Sequence, residues 1–153
     1  MKSLSILIIV FLTSCIKEGQ THYTAKIKNE TSTILKFKIH SMHEFIDTIV
    51  LKQGEVIEIA NGTDRGIVNH AGFDPYLSGG SDSFTVVYNN LYWNTHYSDT
   101  TSRNSLRIIN RNSNRNIYKY ENYKYSFKDK KKHLREALYL YTFTEQDYLD
   151  AKQ

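Results

Sequence analysis

Residues 22–29 read His-Tyr-Thr-Ala-Lys-Ile-Lys-Asn, and residues 34–40 read Ile-Leu-Lys-Phe-Lys-Ile-His. Both alternate. Tyr23, Ala25 and Ile27 fall on one side of the first run, opposite Thr24, Lys26 and Lys28; Leu35, Phe37 and Ile39 oppose Lys36, Lys38 and His40 in the second. A period of two with charge on one side marks an antiparallel strand packed on a single face. The turn-rich Asn29-Glu30-Thr31-Ser32 between them predicts a hairpin.

The same pattern continues outward. Residues 46–51 and 55–60 read as the next strand pair, joined by Lys52-Gln53-Gly54. Residues 61–82 hold five of the seven glycines and the only proline, Pro75, and read as one long irregular connection. Residues 84–89 and 91–97 return to strand across Asn89-Asn90. Residues 105–110 and 117–125 read as a hairpin tipped by residues 111–116. Residues 137–144, apolar on both faces, suit a central last strand. Thr144 followed by Asp147 approximates a capping box opening a short terminal helix. Aromatics are abundant, with 12 Tyr, 7 Phe and 1 Trp, and aromatics fit a pleated, half-buried surface. The predicted fold is all-β: an antiparallel β-sandwich of about seven to nine strands with a short C-terminal helix.

The N-terminus has a different character. Lys2 precedes an apolar run over residues 4–12. A spanning helix needs roughly 20 apolar residues, so this run fits a secretory signal instead. It ends in Leu12-Thr13-Ser14-Cys15, which resembles the lipobox of bacterial lipoproteins. The resemblance implies a signal peptide over 1–14, lipidation of Cys15, a lipidated tether over 15–21 and one domain over 22–153. Two or three acyl chains on Cys15 would hold the domain at a membrane, since each buried methylene contributes about 0.8 kcal/mol. Cys15 is the only cysteine, so no disulfide within the chain is expected. With 20 basic against 16 acidic residues, the charge balance is too weak to point to nucleic acid.

The chain after Cys15 resembles small uncharacterised lipoproteins of Bacteroidota-type bacteria. The residues that carry this are Asn29-Glu30-Thr31, the run Asp82-Ser83-Phe84-Thr85-Val86-Val87-Tyr88, and the tail from Leu140 to Ala151, which resembles a Tyr-Thr-Ile-Thr-x-x-Asp-Tyr-x-x-Ala ending. The resemblance implies an outer-membrane, lipid-anchored location but no activity. It also implies O-glycosylation at Asp-Thr signals, matched by Thr48 in Asp47-Thr48-Ile49 and Thr100 in Asp99-Thr100-Thr101.

Chemistry-bearing motifs are sparse. His40, His43 and Glu44 cluster, but no third metal ligand is fixed by spacing, so no metal or cofactor is expected. His22, His70, His96 and His133 are scattered. No Gly-x-Ser-x-Gly elbow occurs, and the glycines fit neither a P-loop nor a dinucleotide fingerprint. Glu58, Asp64, Asp74 and Asp82 are the carboxylates a hydrolase would have to pair. Tyr92, Trp93 and Tyr97 lie among asparagines, a composition suited to sugar or peptide binding, although alternate aromatics on a strand also simply face a core. Arg103, Arg107, Arg111 and Arg115 recur every four residues, a helical spacing that the intervening asparagines make accidental. Lys128, Lys130, Lys131, Lys132 and Arg135 form the densest basic run, read as a solvated loop that could touch anionic headgroups. The expected function is a non-catalytic binding or scaffolding domain for a glycan or protein. The alternatives are an immunity or inhibitor lipoprotein and, third, a small hydrolase.

Overall fold

The computed structural model describes residues 19–41, 45–68 and 81–153. Among them, nine strands form two sheets, with one short helix at the C-terminal end. The strands are β1 (Gln20–Asn29), β2 (Leu35–Ser41), β3 (Phe45–Leu51), β4 (Val56–Arg65), β5 (Ser81–Tyr88), β6 (Tyr92–Tyr97), β7 (Ile108–Ile109), β8 (Lys124–Lys131) and β9 (Leu134–Phe143); the helix α1 spans Glu145–Ala151. Sheet A runs β4-β1-β9-β8 and sheet B runs β3-β2-β5-β6-β7. The expected sandwich is present, and β9 is an inner strand as its double apolar character suggested.

The alternation in β1 and β2 sorts the residues as read: Ala25, Ile27, Leu35 and Phe37 are fully buried, with Phe84, Val86, Tyr139, Tyr141 and Phe143 from the other strands. Phe37 of sheet B lies 5.1 Å from Phe84 and 5.7 Å from Phe143 of sheet A, ring centroid to centroid. That aromatic contact across the two sheets is the centre of the core. Buried aromatics of this kind cost about 3–5 kcal/mol when truncated to alanine.

The pairing differs from expectation. β1 and β2 do not form a hairpin: β1 pairs with β4 and, in parallel, with β9, whereas β2 pairs with β3 and β5. β3 and β4 are likewise not partners, because residues 52–55 cross back from sheet B to sheet A. Both short connections are therefore bridges between layers. Asn29 explains why. Its side chain donates to the carbonyls of Thr33 (2.8 Å) and Leu51 (3.0 Å), and its Oδ1 accepts from the Thr31 amide (2.9 Å) and hydroxyl (2.7 Å). Its backbone accepts from Gly54 (2.7 Å) and donates to Glu55 (3.1 Å). One buried asparagine thus ties both bridges together, and Gly54 takes the left-handed conformation (φ +78°) that the second needs.

Three further boundaries move. β1 begins at Gln20, inside the expected tether. β4 runs on to Arg65, so the irregular connection is shorter than read, and Pro75 lies outside the described residues. Gly62 lies in that extension against the tip of the Tyr23 ring, which a side chain there would displace. The hairpin expected around residues 111–116 is absent. Asn116 instead donates to the carbonyls of Tyr97 and Ile109 and accepts from Tyr118, and Asn122 donates to Ser113 and Asn116. Side-chain amides satisfy the backbone where a partner strand would. The segment packs Ile117 and Tyr118 into the core. β8 then pairs with β9, so Lys128, Lys130, Lys131 and Lys132 lie on an edge strand and its turn rather than in a loop, and Arg135 is buried on the inner strand β9 rather than solvated. Two expectations hold: strands flank Asn89-Asn90, and Thr144 and Asp147 form the capping box of α1; the structure adds that both asparagines have positive φ (49° and 61°), as the tight β5–β6 hairpin requires.

Asn29→Ala should cost about 3 kcal/mol in urea-monitored unfolding, because two carbonyls and an amide lose their buried partner together.

Candidate functional site

β6 presents two different faces. Tyr92, Asn94 and His96 point inward; Trp93, Thr95 and Tyr97 point out from sheet B. The three aromatic residues read as one group are thereby divided. Tyr92 packs edge-on to Tyr148 of α1 at 6.1 Å, with the Lys152 ammonium 5.8 Å from its ring. Trp93 is 45% exposed.

The outer face is organised by arginines from the loop after β6. The Arg107 guanidinium lies 3.9 Å over the Trp93 ring, and that of Arg103 lies 3.7 Å over Tyr97. Trp93 and Tyr97 are four residues apart on one face of a strand, and the loop returns alongside it, with Thr95 opposite Ile108. Arg103 is held in place from several sides. It forms a two-pronged ion pair with Asp99 (2.6 and 2.7 Å), and its backbone exchanges hydrogen bonds with the Asn110 side chain. The Arg103 hydrogen bonds hold the Asp99 carboxyl below its usual range. The four-residue arginine spacing is thus put to use without a helix. Sequence reading missed this because nothing local shows that the loop doubles back beside β6.

Cross-strand register extends the face. Trp93 pairs with Val87, Val87 with Lys36, and Lys36 with Val50; Val50 is 47% exposed. In the next row Thr85 and Thr95 share a hydrogen bond of 3.0 Å, with Lys38 beyond Thr85. The result is an open surface of one indole, two valines and the cations Lys36, Lys38 and Arg107. Trp and Arg are the residues most enriched at energetic centres of protein interfaces.

Beneath this face the strand is locked. His96 is fully buried, its Nδ1 accepts the Ile117 amide (3.2 Å), and its ring meets Phe84 and Phe143 edge-on at 6.3 and 6.1 Å. Burial, and secondarily the Arg115 charge, push its pKa down to about 3. Arg115 pairs with the buried Asp147 and also donates to Thr142 (2.9 Å). Asp147 in turn accepts from the Thr144 amide (2.7 Å), so one carboxylate caps α1 and fixes the segment 115–118, the plug segment that carries Ile117 and Tyr118 into the core.

The remaining candidates are placed as follows. His43 and Glu44 lie outside the described residues, as do Cys15, His70 and Asp74, and the side chains of His40, Thr48 and Asp82 are not among those described. Thr48 lies in β3. Thr100 is exposed, beside the Asp99 that Arg103 holds. Register puts Glu58 opposite Lys26 and Asp64 opposite Thr21, on opposite faces of β4, so these two carboxylates do not pair. His22 and Glu136 are register partners on the outer face of sheet A, lining a groove of about 490 Å³ with Thr24, Lys26, Ser126 and Lys128. Glu136 is bound to Lys130 there (2.8 Å). No group of three metal-binding side chains occurs among the described residues. Compared with protein-family models, curated proteins and solved structures, the chain matches none.

Two outcomes follow. Between pH 6.5 and 4 the unfolded chain takes up a proton at residue 96 that the folded chain refuses. Stability should be full above pH 6.5 and fall by up to about 1.4 kcal/mol per pH unit below it. Urea midpoints at pH 7, 5.5 and 4.5 should show this slope, and His96→Gln should flatten it. Separately, Arg107→Ala should leave stability within about 1 kcal/mol while making Trp93, the only tryptophan, measurably more open to acrylamide quenching.

Proposed function

We propose that this protein is a lipid-anchored component of a bacterial cell envelope, and that its sandwich binds a glycan or protein through the outer face of sheet B without catalysing a reaction. The observation that carries the binding assignment is the half-exposed Trp93 held flat under Arg107. An apolar ring on an open sheet, pre-ordered by a stacked cation and flanked by Lys36 and Lys38, loses little side-chain entropy when covered. Trp93 has area for a sugar ring or an apolar side chain, and the cations suit an acidic neighbour on either. The anchor rests on the resemblance of residues 12–15 to a lipobox. No helix among the described residues is long and apolar enough to cross a membrane, and attachment through acyl chains on Cys15 needs none.

The Trp and Arg composition of the face favours a protein partner, the condition an immunity or inhibitor lipoprotein would meet. The hydrolase reading has less support. In the sheet A groove, the exposed His22 faces a Glu136 already paired with Lys130.

Trp93 also supplies the assay. Titration with envelope polysaccharide fractions, and with envelope proteins, should shift or quench its emission for the true ligand. Lys36→Gln with Lys38→Gln should weaken that response, and saturation without any emission change would remove the face from consideration. Cys15→Ser should move the protein from the detergent phase to the aqueous phase in two-phase partitioning, and an unchanged distribution would remove the anchor.

A further inference from the structure

The start of the described chain is fixed at one end of the sandwich. The Gln20 amide donates to the His133 carbonyl (2.8 Å), and the Gly19 carbonyl accepts from Gly66 (2.5 Å). The Thr21 hydroxyl donates to Gly66 (2.9 Å) and accepts from Val68 (3.1 Å). Gly19 is thereby seated between the β8–β9 turn and the segment following β4. Cys15 lies four residues earlier in the sequence, a reach of at most about 14 Å. Whatever surface holds Cys15 is therefore close to this end of the domain.

This end is basic. Arg65, Lys130, Lys131 and Lys132 are all exposed there. Of the acidic groups near them, Asp129 is paired with Arg135 (2.7 Å) and Glu136 with Lys130, while the half-buried Asp64 sits on β4 next to Arg65, opposite Thr21. Among the described residues Lys131, Lys132 and Arg65 make no ion pair. Ile67, 40% exposed, lines a cleft of about 240 Å³ with Asp129 and the three lysines, so an apolar side chain sits inside the cationic ring. The opposite end differs. There Glu30 is paired with Lys28, Glu55 accepts from the Lys52 amide, and Glu145 accepts from Ser32, with Asp150 and Lys152 on and after α1, so acidic and basic groups alternate.

We infer that the β8–β9 turn, with Arg65 and Ile67, is a membrane-docking surface that seats the domain on anionic phospholipid headgroups. Phosphates would meet Lys131, Lys132 and Arg65, and Ile67 would enter the interfacial layer. Each such cation contributes about fivefold to partitioning onto an anionic surface. The inference rests on the lipid-anchor reading for its biological setting and adds an orientation to it. The strands stand off the membrane, and the Trp93 end of β6 faces away from it.

The test uses the processed, lipidated full chain in vesicles of phosphatidylcholine alone or with one-third phosphatidylglycerol. Amine acylation is timed at Lys131 and Lys132, with the exposed, far-end Lys52 as internal reference. On the anionic vesicles Lys131 and Lys132 should react about tenfold or more slowly than Lys52, and high salt should restore them. Equal rates on both vesicle types would overturn the inference while leaving the anchor intact. If the chain floats with neither vesicle, the anchor reading has failed, and the unlipidated full chain is then sedimented with the anionic vesicles. Binding that drops about tenfold or more in Lys131→Gln with Lys132→Gln, with Trp93 emission unchanged, supports the surface; no binding, or binding indifferent to the substitutions, overturns it.

Discussion

Two layers of strands hold together here because one buried amide joins the places where the chain passes between them. Asn29 ends β1, and its carboxamide reaches forward to Thr31 and Thr33 and across to Leu51. Each bridge is only a few residues long. A short bridge between sheets cannot satisfy its own polar groups with a strand ladder, and it is too close to the core for water to do so easily. An amide side chain can serve both needs at once, since it donates twice and accepts twice. With the bridges set, β2 is delivered opposite β1 rather than beside it. Phe37 then meets Phe143, and the core has its two halves.

The structure assigns separate tasks to regions that the sequence leaves mixed. Arg103 and Arg107 hold aromatic rings on an outer face, whereas Arg115, of the same spacing, is turned inward to Asp147. Tyr92 supports α1, while Trp93 beside it faces solvent. These assignments follow from the alternation of a strand, which sends adjacent residues to opposite faces. The buried His96 and the Arg115–Asp147 pair keep β6 and the plug segment in register, and so keep the outward ring pair fixed in position.

Much of the fold was readable from residues alone. The alternation in β1 and β2, the strands on either side of Asn89-Asn90 and the Thr144–Asp147 cap are local signals, and each appears where the chemistry requires. Pairing was not readable. A turn such as residues 29–32 looks the same whether it folds a hairpin or crosses between sheets; the difference lies in the Leu51 carbonyl, 22 residues away in sequence. The segment 105–123 misled for a related reason, since its asparagines carry hydrogen bonds that strand periodicity does not encode. For the candidate site, the sequence singled out Trp93 and Tyr97, and separately Arg103 and Arg107, but did not join the rings to the cations, because ring-stacking across a returning loop leaves no periodic trace. Tyr92 was grouped with them only because it is adjacent in sequence.

The parallel pairing of β1 with β9 has a consequence for how the molecule is made. β1 can find β4 once about 65 residues are available, but its other edge waits for residues 134–143. A chain delivered N-terminus first would therefore carry an open strand edge for most of its synthesis or export, and open edges invite pairing with other chains. Lys26 and Lys28, half-buried on the outer side of β1, put charge on this waiting strand, and charge on an open edge discourages pairing with other copies. That edge is covered only by the β8–β9 hairpin, whose inner strand lies along β1 and runs directly into α1.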